Sequence, residues 1–313
     1  MFINSFYEGV VVIVCVNMIA VLGMSVLTGF TRLFSFGNAG FMSIGAYTAA
    51  ICSVQFHLPF PIALLCGAIM AGIVAFLLGS LTIRLRGDYF LISCLGFGEC
   101  VRVLFNYTRK LTGGANGYSG IPYKTNGYVA LFCAILAFVI AWNLIHSRYG
   151  QAFSAIRENE VAAAANGINV VHYKKLSFIF SAIFAGWAGG LYAHYLQYIT
   201  PSLFNLPKSC ELIITTVLGG LGSLTGSVLG TLIVQLLPEI FRSLSEYRML
   251  FYGISVVLVI LLRPAGLLGY REFSITGIIR WFKRKFSGGS GSDGSGKGSD
   301  AKASAPVKGG TGV

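Results

Sequence analysis

The segment Ser147–Lys175, SRYGQAFSAIRENEVAAAANGINVVHYKK, is a polar interruption in a chain whose flanking sequence is apolar enough to lie in lipid. Its middle, residues 152–166, is rich in Ala and Glu and predicts a short helix, with Gly167 as the helix stop. A polar helix between two membrane spans faces either water or another protein. The segment is therefore either a solvated loop or a docking surface for a soluble partner.

The composition indicates an integral membrane protein. Of the 313 residues, 55% are hydrophobic and 11% are charged, and the mean hydropathy is +0.74, whereas soluble domains contain about 25% charged residues. The net charge of +12 comes from basic residues in a few loops, so it does not indicate a nucleic-acid partner. The seven cysteines include no C-x-x-C pair, which argues against a disulfide framework or a zinc site.

Apolar runs predict an all-α, polytopic transmembrane bundle of about eight membrane segments. The runs are 10–28, 39–54, 61–81, 89–105, 128–145, 176–198, 212–237 and 249–262. They define a transmembrane domain over residues 1–286, in which residues 147–175 form a cytoplasmic loop. The basic and aromatic stretch 278–286 is expected at the lipid surface, and the Gly- and Ser-rich residues 287–313 are expected to form a disordered cytoplasmic tail.

The loop charges predict an interruption within the seventh run. Arg84, Arg86, residues 147–175 and the basic residues after the last run all belong on the cytoplasmic side by the positive-inside rule, which puts the N-terminus outside. The run 212–237 must then cross the membrane an even number of times. Its glycine-rich part, residues 219–230 (GGLGSLTGSVLG), predicts two half-helices joined by a turn at membrane depth. A re-entrant second run is an open alternative.

Glycine patterns suggest which residues line a pathway. Similar patterns at residues 37–45 and 219–230 indicate either an inverted repeat with discontinuous helices or ordinary packing of small residues between membrane helices. Helix N-termini and free backbone groups at such breaks suit a zwitterion. The predicted pathway residues are Gly37, Asn38, Gly40, Gly45, Glu99, Arg102, Gly219, Gly220, Gly222 and Gly226.

Two ionisable residues interrupt the fourth run. Glu99 and Arg102 are spaced i, i+3 and so share one helix face. An isolated charge in hydrocarbon costs several kcal/mol, which favours a pair that faces the bundle interior. The pair is either part of a polar pathway or a structural ion pair. The sequence offers no defensible catalytic grouping, metal-ligand set or cofactor motif, so active transport would draw its energy from a partner or an ion gradient.

Five motifs, in order along the chain, resemble the branched-chain amino-acid ABC transporter permeases, in particular the M-subunit type. They are residues 34–50 (FSFGNAGFMSIGAYTAA), 84–106 (RLRGDYFLISCLGFGECVRVLFN), 111–122 (LTGGANGYSGIP), 150–193 (GQAFSAIRENEVAAAANGINVVHYKKLSFIFSAIFAGWAGGLYA) and 217–230 (VLGGLGSLTGSVLG). The resemblance covers residues 10–270. It implies a multi-pass permease subunit of the bacterial cytoplasmic (inner) membrane that imports leucine, isoleucine and valine.

The resemblance also implies partners. These are a second permease subunit of the H type, two cytoplasmic ATPase subunits and an extracytoplasmic substrate-binding protein. Importers for urea or short-chain amides resemble the same motifs, and an ion-coupled secondary transporter is an alternative from another class. The implied ATPase-coupling residues include Ala162, Ala163 and Gly167, which fit a degenerate E-A-A-x-x-x-G motif, and three charged neighbours: Arg157, Glu158 and Glu160.

Overall fold

The computed structural model describes residues 2–85, 87–240, 253 and 257, all within one compact unit, Met1–Phe273. The predicted eighth run, the basic stretch 278–286 and the predicted disordered tail 287–313 lie outside the described residues, apart from positions 253 and 257. Nothing in the structure tests the predicted domain boundary at residue 286.

The described residues form a helical bundle with a single two-stranded ribbon. The helices are α1 Phe2–Thr31, α2 Asn38–Val54, α3 Phe60–Thr82, α4 Asp88–Tyr107, α5 Arg109–Thr112, α6 Gly127–His146, α7 Arg148–Glu158, α8 Glu160–Ala165, α9 Val170–Leu196, α10 Leu206–Gly219 and α11 Leu224–Ile240. The strands, β1 Tyr118–Ser119 and β2 Tyr198–Ile199, pair antiparallel. Two short 3-10 turns complete the set, at Gly114–Asn116 and Pro201–Leu203.

Four of the described helices are long and apolar enough to cross a membrane. They are Tyr7–Thr31 of α1, Phe60–Thr82, Gly127–His146 and Val170–Leu196. These helices confirm the all-α membrane class and correspond to the first, third, fifth and sixth predicted spans. Each begins and ends within a few residues of the predicted limits, with two exceptions: α1 begins at Phe2, eight residues before the predicted start at residue 10, and α9 begins at Val170, six residues before the predicted Leu176.

α1 and α9 run antiparallel through the centre of the bundle. Thr31 at the end of α1 lies beside Ser177 near the start of α9, with 3.2 Å between the two hydroxyl oxygens. At the other end, a Cβ added at Gly9 would lie 2.6 Å from the Tyr195 hydroxyl. Small residues allow the close packing, because a Cβ at Gly45 of α2 would collide with the Gly186 backbone of α9.

α2 begins inside the bundle. The side-chain amide of Asn38 donates to the Met24 sulfur at 2.6 Å, and Met24 precedes the end of α1 by seven residues. At a rise of 1.5 Å per residue, α2 therefore starts about 10 Å in from that end. Its last turn reaches the opposite end, where Ser53 Oγ lies 3.0 Å from His194 Nε2. α2 therefore continues to the end of the bundle near His194, whereas a re-entrant segment would turn back to the side from which it entered.

The seventh apolar run is broken within its glycine-rich part, as predicted, but the prediction of a turn at membrane depth is wrong, because the turn lies near the end of α1. α10 and α11 are joined by residues 220–223, and close glycine contacts pack them, because a Cβ at Gly219 would lie 2.5 Å from the Gly226 carbonyl oxygen. α10 begins at Leu206, six residues before the predicted run, because Asn205 Oδ1 accepts from the Lys208 amide. The joining turn lies near the end of α1, where a Cβ at Gly29 would lie 2.7 Å from Gly222 N.

The polar segment 147–175 contains two helices, so the prediction of one helix over 152–166 is wrong. Asn159 separates α7 from α8 in an extended conformation, with φ −156° and ψ 113°. Its side-chain oxygen accepts from the amides of Val161 and Ala162, which starts a new helix instead of continuing the first. The predicted stop is confirmed, because Gly167 follows α8 with φ +81°.

Candidate functional site

The starts of α2 and α10 meet inside the bundle. The Ala39 amide, in the first turn of α2, donates to Ser209 Oγ in the first turn of α10 at 3.1 Å, and both residues are buried. A small cleft opens beside this contact. Its lining residues come from α2, α4 and α10 and from the segments that precede α2 and α10: Phe36, Ala39, Gly40, Leu95, Gly98, Glu99, Phe204, Asn205, Leu206 and Ser209.

Two helix N-termini therefore point at one place in the interior. The first turn of a helix has free amides and a partial positive charge. Gly37, the residue before α2, makes no side-chain capping bond, whereas Asn205 caps α10. α4 approaches this junction closely, because a Cβ at Gly40 would lie 3.0 Å from the Gly98 Cα. The first turns already use several of their amides, because the Ala39 amide donates to Ser209 Oγ, the Lys208 amide donates to Asn205 Oδ1, and Pro207 has no N–H. The junction therefore combines the positive ends of two helix dipoles with a narrow space between backbones.

The Glu99–Arg102 pair forms on α4, as its i, i+3 spacing predicts. Glu99 Oε2 lies 2.8 Å from Arg102 Nε and 2.7 Å from Nη2. Glu99 also lines the cleft, and its side chain is 36% exposed. The structure thus has both features that the sequence left as alternatives: an intact ion pair, and a carboxylate beside a polar junction.

A second polar cluster, at the start of α10, was missed from the sequence. Lys208 Nζ lies 3.0 Å from Glu211 Oε2, and Glu211 Oε1 accepts from Gln235 Nε2 of α11 at 2.6 Å. The i, i+3 spacing of Lys208 and Glu211 was a usable signal. The apolar run begins only at Leu212, so the sequence pattern puts Lys208, Ser209 and Glu211 in a loop, whereas they belong to the first turns of α10.

The other predicted pathway residues fall into three places. Gly37 and Asn38 lie at the start of α2, near the cleft, where a Cβ at Gly37 would lie 2.9 Å from the Cys94 carbonyl oxygen. Gly45 lies in the α2–α9 contact. The remaining four belong to the α10–α11 hairpin, two in its helix contact and two in its turn: Gly219, Gly226, Gly220 and Gly222.

The predicted coupling residues lie on α7, α8 and the turn after them. Ala163 is the buried member, at 4% exposure, whereas Ala162 and Gly167 are exposed. Val161 has 79% of its surface exposed, which is unusual for a branched apolar side chain outside the hydrophobic helices. The two glutamates are paired within the chain, Glu158 with Arg157 and Glu160 with Lys174.

The glycine-rich motif 111–122 lies at the end of the bundle away from α7 and α8. Tyr118 of β1 pairs with Ile199 of β2, and the Tyr198 hydroxyl donates to the Asn116 carbonyl at 2.8 Å. Burial raises the pKa of the Tyr118 phenol. The motif therefore ties the connection after α5 to the segment that leads into α10. Among the described residues, no three His, Cys, Asp or Glu side chains cluster to hold a metal ion.

Comparison with known proteins gives one consistent family. A family model described as "Branched-chain amino acid transport system / permease component" matches residues 6–262. The high-affinity branched-chain amino acid transport system permease protein LivM of Escherichia coli is 34% identical over 281 residues, which cover 79% of this chain and 66% of LivM. The chain therefore spans slightly less than two thirds of that relative.

More distant relatives carry related names. A probable branched-chain amino acid transport permease protein LivM of Methanocaldococcus jannaschii is 25% identical over 66% of this chain and 68% of its own length. The permease protein LivH of Salmonella typhimurium is 31% identical over 46% of this chain and 47% of its own length. No solved structure matches the chain.

Proposed function

The chain belongs to the branched-chain amino acid transport permease family, and from this premise we propose that it is a permease subunit of an ATP-binding cassette importer. It would form part of the pathway for leucine, isoleucine and valine across the bacterial inner membrane. The observation that carries the proposal is the match of the family model over residues 6–262, which includes the cleft and the segment 147–175. The relatives named LivM and LivH support a second permease subunit of the LivH type.

We propose that the cleft between α2, α4 and α10 is the place where the substrate passes. A branched-chain amino acid has a carboxylate, an ammonium group and an apolar side chain. The positive ends of the α2 and α10 dipoles suit the carboxylate, and Glu99 suits the ammonium group. The apolar lining suits the side chain and comes from four residues: Phe36, Leu95, Phe204 and Leu206.

The proposed bundle has about eight membrane segments and two discontinuous helices related by an inverted repeat. α2 follows a long helix, α1, after the non-helical stretch 32–37, and α10 follows α9 after residues 197–205, which form no α-helix. Both start at the Ala39–Ser209 contact. From there α2 runs to the end near His194, and α10 runs to the end near Gly29. This opposite orientation supports the repeat over glycine packing alone.

The exposed surface of α8 and the following turn is proposed to dock on an ATPase subunit. Val161, Ala162 and Gly167 offer a small, partly apolar surface without bulky side chains that would hold a partner away. Two ATPase subunits would supply the energy, and an extracytoplasmic binding protein would deliver the substrate.

Reconstitution tests this function. The full chain is produced with the neighbouring permease, ATPase and binding-protein genes, purified by a tag on this chain, and placed in liposomes. Co-purification of two ATPase chains, with ATP-dependent uptake of labelled leucine that excess isoleucine and valine inhibit, is the expected result. Uptake that only urea or acetamide inhibits would move the chain to an amide importer. Uptake that needs an ion gradient and no ATP would overturn the importer.

A further inference from the structure

Arg157 lies in the last turn of α7, three residues before the start of α8, and its side chain points into the protein. Only 16% of that side chain is exposed. The guanidinium carbon lies 5.6 Å from the centre of the Phe30 ring at the end of α1, within the range of a cation–π contact. Nη2 also pairs with Glu158 Oε1 at 3.2 Å. Most of the Arg157 side chain is therefore held inside the protein, in contact with α1 and with its neighbour Glu158.

The turn between α10 and α11 also lies against Arg157. A Cβ added at Gly222 would lie 2.5 Å from Arg157 Nη1 and 3.4 Å from the Gly29 carbonyl oxygen. Gly222 also has φ +98°, which L side chains rarely adopt. Glycine therefore lets the turn lie directly against the guanidinium and α1. This turn ends α10, whose last carbonyls carry the negative end of the helix dipole and favour a cation.

α7 is held firmly at this junction. Phe153 of α7 is fully buried and packs with Val26 and Phe30 of α1. Tyr173 and Leu176 of α9 lie against the same cluster. A displacement of α7 therefore moves packed side chains at the ends of α1 and α9, together with the guanidinium that contacts the hairpin turn. Closely packed contacts of this kind transmit small shifts instead of absorbing them.

α10 connects this junction to the cleft. The helix has 14 residues and is about 21 Å long. Its last turn leads to Gly222, and its first turn carries Ser209, which holds the start of α2. Contacts of Gly219 with Gly226 and of Gly230 with Thr215 pack the C-terminal part of α10 against α11. α10 is thus a short rigid helix whose C-terminal end lies beside the segment 147–175 and whose N-terminal end lies at the cleft.

We propose that Arg157 is a positioning residue that couples the segment 147–175 to the cleft through the α10–α11 turn. The inference rests on the proposed function, because the segment must receive the movement of an ATPase subunit. Movement of α7 shifts the guanidinium against Gly222, α10 moves with its turn, and the Ala39–Ser209 junction opens or closes. Arg157 itself contacts neither the substrate nor the partner.

The test measures the leucine molecules imported per ATP hydrolysed by the reconstituted importer. Arg157→Met keeps most of the side-chain volume and removes the charge. We expect the complex to assemble while uptake per ATP falls about tenfold, a typical size for a coupling effect. Arg157→Lys, which retains the charge, should recover part of the ratio. Arg148→Met is the matched control, since Arg148 is exposed on the same helix, and it should leave the ratio unchanged.

Gly222→Ala changes the other partner of the Arg157–Gly222 contact. It provides a second test if Arg157→Met folds poorly. It should also lower the uptake of leucine per ATP. In the double variant, the fold-decrease in this ratio should be smaller than the product of the two single fold-decreases, because both changes disturb one contact. An unchanged ratio in both single variants, in complexes that retain their ATPase chains, would overturn the coupling role. If the wild-type chain neither binds ATPase subunits nor supports ATP-dependent uptake, the proposed importer function itself would be contradicted.

Discussion

Glu99 is the residue at which the two alternatives for the α4 ion pair, substrate contact or structural pair, can be separated. If its carboxylate binds the substrate ammonium group, Glu99→Gln should raise the apparent KM for leucine about tenfold or more, since a charge-assisted hydrogen bond contributes about 1.5–3 kcal/mol. Arg102→Gln breaks the same pair but keeps the carboxylate, so it should raise the apparent KM by less than Glu99→Gln does. The measurement is initial uptake rate against leucine concentration in liposomes.

Asp88→Asn controls for the loss of a carboxylate from α4, because Asp88 is exposed at the start of that helix. It should leave the KM near the wild-type value. An equal rise in apparent KM for Glu99→Gln and Arg102→Gln would mean that the pair acts structurally and that Glu99 does not recognise the substrate.

At this scale the sequence predicts local partners and misses distant ones. The Glu99–Arg102 pair follows from i, i+3 spacing alone. The contact of Ala39 with Ser209 joins residues 170 positions apart, and no local pattern encodes such a pairing. The family resemblance implies a coupling role for Arg157, but only the tertiary fold shows that its side chain lies against Phe30 and Gly222.

Among the elements, α8 depends most on a single side chain. It has six residues, and Asn159 supplies the two capping hydrogen bonds at its start. Isolated helices of this length are marginal, so Asn159→Ala, which removes a cap contributing about 1 kcal/mol, should unwind α8. We expect faster hydrogen exchange at residues 161–165 and weaker retention of the ATPase chains.

Asn159→Asp is the matched control, because aspartate caps a helix about as well as asparagine. It should keep slow exchange and normal retention. Unchanged exchange in Asn159→Ala would show that the packing of Ala163, and not the cap, holds α8 in place.

The helices themselves were largely predictable, because an apolar run of membrane length has few alternatives to a helix. The errors lie at polar residues that can either continue or cap a helix. Asn159 divides one predicted helix into two, and Asn205 starts α10 within what was taken for a loop. In both cases a side-chain oxygen competes with the backbone for amide hydrogens, and the choice depends on tertiary packing.

For the whole molecule, the balance of loop charges predicts the broken seventh run, and α10 and α11 bear this out. The glycine-rich sequence also predicts a turn at membrane depth, and that part of the prediction is wrong. The turn lies beside Gly29 and Arg157, near the end of α1, and the start of α10 is the part that reaches the interior. Charge counts report the side on which a loop lies, whereas depth is set by which helices pack together.

The orientation of the whole chain gives the last prediction. Val161 and Lys124 are exposed at opposite ends of the bundle. Because the basic loops belong inside, a membrane-impermeant maleimide should label Val161→Cys only in inside-out vesicles and Lys124→Cys only in right-side-out vesicles. Both cysteines are placed in a chain whose seven native cysteines are replaced, since Cys100 is exposed and would react. Assembly with the ATPase subunits should slow the labelling of Val161→Cys and leave that of Lys124→Cys unchanged. Labelling of both positions from one side would contradict the topology, and with it the docking surface on α8.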